Sequence, residues 1–161
     1  MLGDSIWDTK RVEKFLRDIL AEPDIGDDFE LQYKAGQTAF HARVYVNIFR
    51  NELIYKFIPR GTPMEPIKEA EKAEIKKLSL SESDFKNFIE GLVKFKVWEL
   101  RPCSDLVPLD TAMLKFVILQ KGEKIFETMS WTHCIDIKSD ERLVNIMDLI
   151  RKISPDKPMP P

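Results

Sequence analysis

Apolar positions along the chain change period several times, and each change marks an element. Val12, Phe15, Leu16, Ile19 and Leu20 fall at i, i+3, i+4, i+7 and i+8, with Lys10, Arg11, Glu13, Lys14, Arg17 and Asp18 between them. This is the stripe of an amphipathic helix over 9–21. Asp8 or Ser5 is placed to cap its start, and the Pro23, Gly26 and Asp27 cluster stops it.

The period then drops to two. In FELQYKA, Phe29, Leu31 and Tyr33 alternate with Glu30, Gln32 and Lys34. In AFHARVYVNIF, Phe40, Ala42, Val44, Val46 and Ile48 share one side, while His41, Arg43, Tyr45, Asn47 and Phe49 share the other. An Arg50-Asn51 corner leads into ELIYKFI, the return strand of a hairpin. Alternation of this kind suits an antiparallel sheet with one dry face and one wet face. Residues 59–74, PRGTPMEPIKEAEKAE, carry three prolines and dense charge without an apolar stripe, so they read as a linker or solvated excursion. IKKLSLS afterwards reads as a fourth strand.

The second half uses the same signals. Ser81 or Ser83 can cap a helix over 82–95 whose stripe is Phe85, Phe88, Ile89 and Leu92. From Trp98 the segment WELRPCSDLVPLD reads as irregular. MLKFVILQ is almost continuously apolar and is expected at the centre of the sheet, with Lys121-Gly122 turning it into EKIFETMSW. A third helix over 139–153 starts at Ser139, carries Leu143, Ile146, Met147 and Ile150 inward, and ends on Arg151 and Lys152, which complement its dipole. A shift of 58 residues superposes this helix on the preceding one, Ser81 on Ser139 and Phe88 on Ile146, an internal echo that any two capped amphipathic helices would give. The expected fold is α+β: an antiparallel sheet with three amphipathic helices packed mainly on one face, one domain over 1–154, and a disordered tail over 155–161.

Composition narrows the function classes. The chain has 161 residues, a length that suits one domain, and its 25 basic and 27 acidic side chains leave a formal charge of -2. A nucleic-acid partner would want a net basic footprint, so none is expected. No run approaches the roughly 18 apolar residues of a membrane span, and MLGDSIWDTK lacks the plan of a signal peptide, so the expected location is cytoplasmic.

Candidate chemistry is sparse. WTHCIDI places His133 beside Cys134 with Asp136 close by, but adjacent residues of a strand face opposite ways and cannot grip one ion together. His41 and Cys103 are distant in sequence, and no CxxC, HxxxH, HExxH, GxSxG or phosphate-loop motif occurs. No catalytic residue, metal ligand or cofactor is therefore assigned. The alternative is a small enzyme in which His41 or His133 works with a nearby carboxylate or Cys.

The informative surface is the outward row His41, Arg43, Tyr45 and Asn47, with Glu30, Gln32, Lys34 and Lys56 around it. Tyr and Arg are favoured interface anchors, so this face is expected to bind a protein partner without catalysis. The element order resembles the small acidic chaperones of bacterial secretion systems, which implies a dimer holding an extended partner segment. A cytoplasmic immunity protein or inhibitor, which blocks a target by surface complementarity, has similar size and composition.

Overall fold

Six strands form one antiparallel sheet in the computed structural model, which describes residues 7–36, 42–59, 73–101, 113–131 and 141–154. The strands are β1 (Phe29–Ala35), β2 (Arg43–Ile48), β3 (Glu52–Ile58), β4 (Glu74–Ser79), β5 (Met113–Gln120) and β6 (Glu123–Trp131). Their order across the sheet is β4-β3-β2-β1-β5-β6. Among the described residues the helices are α1 (Thr9–Ala21), α2 (Glu82–Lys94) and α3 (Glu141–Ile153), with short 3-10 turns at Pro23–Asp28 and Val97–Glu99.

Local chemistry sets these boundaries. The Asp8 carboxylate accepts from the amides of Lys10 and Arg11 and opens α1, and the Ser81 hydroxyl accepts from Asp84 and opens α2. The β5–β6 turn works because Lys121 and Gly122 both adopt positive φ, 52° and 79°, the geometry whose twist matches the flanking strands.

The inward faces of the strands and the three helical stripes meet in one core. Leu31, Val46, Leu53 and Phe116 from the sheet are sealed against Leu16, Ile89, Leu92, Ile146 and Ile150 from the helices. A side chain of this size contributes about 1.5–3 kcal/mol when fully buried, so the stripes are what hold the helices on this face. Phe29 links the layers, its ring 6.2 Å from Phe15 and 5.6 Å from Phe85 between centroids. Gly91 of α2 is buried against Leu149 of α3.

Polar ties anchor the periphery. Arg11 reaches Glu123 at 3.0 Å and Gln120 at 3.3 Å, joining α1 to the β5–β6 hairpin. At the β2–β3 corner, Arg50 bonds Asp24, Asp27 and Glu82, holding the first 3-10 turn and the start of α2 together. Arg142 of α3 donates to the Phe95 carbonyl at 2.8 Å, just past the end of α2.

Two expectations need correction. The strand MLKFVILQ is not central: β5 lies one place in from the β6 edge. Its unbroken apolar run reflects burial on both faces instead, Phe116 against the helices and Val117 on the opposite side. The segment from Trp98 also begins as a packed 3-10 turn, with Val97 and Trp98 both buried. Residues 60–72, 102–112 and 155–161, expected as an excursion, an irregular stretch and a tail, lie outside the described residues.

Candidate functional site

The sheet face opposite the helices gathers the polar positions of successive strands. Alternation puts Arg43, Tyr45 and Asn47 of β2 on this face, each half-buried, while Val44, Val46 and Ile48 point to the core. His41 lies outside the described residues, so the structure places three of the four expected binding residues side by side.

Register supplies their neighbours. Tyr45 pairs with Lys34 on β1 and Lys56 on β3, and Asn47 pairs with Gln32 and Ile54. The Lys34 and Lys56 ammonium groups stand 5.5 and 5.4 Å from the Tyr45 ring centroid, within range of a cation–π attraction on both flanks. Lys34 makes no ion pair with any of the described residues, whereas Lys115 on β5 is bound to Glu127 at 3.1 Å. Two residues beyond Gln32 on the same face of β1, the Glu30 carboxylate accepts from Asn47 at 2.8 Å and from Gln32 at 3.0 Å.

Charge is therefore graded along the strands. The Tyr45 row carries Lys34, Lys56 and Lys115 and no acid; farther along lie Glu30, Glu52 and Glu127. Burial alone would raise the Glu127 carboxyl, but hydrogen bonds from Lys124 and Lys115 outweigh it and hold the group below its ordinary value. Ile58 and Val117 also lie on this face and are buried, 0% and 4% exposed, outside the helix-side cluster.

The other face offers a contrast. Tyr33, one residue before Lys34, turns inward, its ring 5.1 Å from Phe116, and burial pushes its phenol well above the ordinary tyrosine range. Its hydroxyl has no hydrogen-bond partner among the described residues.

Reactive chemistry is not assembled in the described part of the chain. His133, Cys134 and Cys103 lie outside it, as does most of WTHCIDI. Among the described residues no group of three His, Cys, Asp or Glu side chains is placed to hold a metal ion. A groove of about 200 Å³ runs between the end of α1 and the start of α2, lined by Ile19, Leu20, Pro23 and Phe85 with Glu82, Ser83 and Lys86. It sits on the helix layer, away from the Tyr45 row. Among the described residues no helix is long and apolar enough to cross a membrane.

Lys115, with Met129 beside it on β6, was not anticipated on the polar face. The only signal was a single lysine inside MLKFVILQ, and its relation to β1 depends on a strand pairing remote in sequence. No family model and no curated protein matches the chain.

Proposed function

We propose that this chain is a non-enzymatic protein-binding module that uses its outer sheet face as the docking surface. The observation that carries this reading is the half-buried Tyr45 ring held between two lysines on the sheet face opposite the three described helices. An aromatic side chain already stiffened by its neighbours loses little freedom when a partner covers it, and adjacent guanidinium and amide groups orient that partner. An inhibitor, an immunity protein or a secretion-chaperone-like adaptor would each use such a surface, acting in the cytoplasm as a monomer or homodimer.

The test pairs folding with capture. Partners recovered from source cells by the wild-type chain and identified by mass spectrometry are re-measured against Tyr45→Ala and Arg43→Ala. Each variant should melt close to wild type and lose about 1 kcal/mol or more of partner affinity. Full affinity in both would move the interface off this face.

A further inference from the structure

We infer that the Tyr45 row receives an acidic, extended partner segment lying across the strands, with carboxylates over Lys34 and Lys56 and the stretch of chain between them crossing the Tyr45 ring. This rests on the reading of the sheet face as a binding surface and names the chemistry that surface takes.

Continuous pairing defines the row strand by strand: Ile75, Lys56, Tyr45, Lys34, Lys115 and Met129. The row thus holds one ring and three lysines, of which Lys115 is already paired with Glu127, between two apolar ends. Those ends are also the most exposed large apolar side chains among the described residues, Ile75 at 59% and Met129 at 45%. Exposed apolar groups at both ends of a cationic row suit a segment that is acidic in the middle and apolar at its flanks.

Spacing selects the conformation of the occupant. Neighbouring strands lie about 4.8 Å apart, so β1 and β3 are separated by about 10 Å. A polyproline II segment returns to the same side every third residue, a rise of about 9 Å, which matches carboxylates at i and i+3 to Lys34 and Lys56. A β-strand repeats each side at about 7 Å and fits this pair poorly. Six strands across give a row of about 24 Å, the length of about eight residues in that conformation.

The surroundings argue for a peptide over single-stranded nucleic acid. The row has one aromatic platform, where single-stranded nucleic acid would want several on which to stack successive bases.

The experiment titrates the isotope-labelled full chain, followed by NMR, with a peptide of about twelve residues repeating Glu-Pro-Pro. Matched Gln-Pro-Pro and Lys-Pro-Pro repeats and a thymidine oligonucleotide serve as comparisons. The Glu peptide should shift signals of Lys34, Tyr45, Lys56 and Lys115, with the Gln peptide at least tenfold weaker and the Lys peptide silent. Lys34→Gln and Lys56→Gln should each weaken the Glu peptide about two- to fivefold, with the melting temperature of each variant recorded beside its affinity. Added salt should weaken it as well.

Equal binding of the Glu and Gln peptides would overturn the charge assignment, and so would tighter binding of the oligonucleotide. No shift along the row with the Glu peptide would overturn it too. In each case the capture experiment with Tyr45→Ala reports separately whether the face binds a protein at all.

Discussion

Gly91 offers a sharp test of how the helix layer is packed. It lies inside α2, where a glycine costs about 1 kcal/mol relative to alanine through backbone entropy, so Gly91→Ala on an open helix would stabilise. A Cβ at this position, however, would come 2.5 and 2.6 Å from the two methyl groups of Leu149 and 3.1 Å from its Cγ. Something must move, and Leu149 is packed against the core. Overpacking of this kind costs about 1–3 kcal/mol. Set against the propensity gain, Gly91→Ala should destabilise by about 1 kcal/mol. In a Leu149→Ala background the obstruction is gone, and the same substitution should stabilise by up to about 1 kcal/mol. Urea unfolding of the four proteins of this cycle gives a coupling energy, expected near 2 kcal/mol. A stabilised Gly91→Ala single variant, with coupling inside about 0.5 kcal/mol, would show that α2 and α3 do not meet here.

Other expectations are simpler to check. Phe88→Ala removes a ring 2% exposed and should cost about 3–5 kcal/mol in denaturant unfolding; an unchanged midpoint would place Phe88 outside the core. The Glu127 carboxyl titrates below its ordinary 4.5 in the folded chain, so near that pH the unfolded state binds more protons. The stabilisation is present above that value and fades as pH falls through the folded one; Glu127→Gln should flatten the acid limb of the stability–pH curve, and an unaltered limb would remove the lysine pair as its cause. Elemental analysis of protein purified without added metal should show no stoichiometric zinc, whereas zinc lost together with folding in Cys134→Ser would place a metal at WTHCIDI.

The elements legible in the sequence were those whose signals are local. The helix expected over 9–21 runs over those same residues, and Ser81 caps α2 as its spacing suggested. ELIYKFI and EKIFETMSW are strands over their full lengths because period-two alternation and tight corners are read from neighbours alone. The tight turn at Pro23–Asp28 was read only as a stop, since its shape depends on Arg50 gripping Asp24 and Asp27 from another hairpin. The candidate site divides in the same way. Lys34, Tyr45 and Lys56 were grouped correctly because β1, β2 and β3 are consecutive. Ile75 was left out because a 15-residue segment, 59–73, separates its strand from β3, and Lys115 and Met129 because nothing local says that β5 lies beside β1.

That last pairing governs how the chain must fold. The strands β1 to β4 form one meander and β5–β6 a separate hairpin, joined in the sheet only where residues 29–35 meet residues 114–120. Bringing those segments together closes a long loop before the contacts can repay its entropy, so folding should be slow relative to a helical bundle of this size. A chain still being synthesised can complete the meander, but Leu31 and Tyr33 have no β5 beside them until Gln120 has emerged. The apolar edge of β1 is then exposed, and the vulnerable period in the life of this protein falls before the sheet closes.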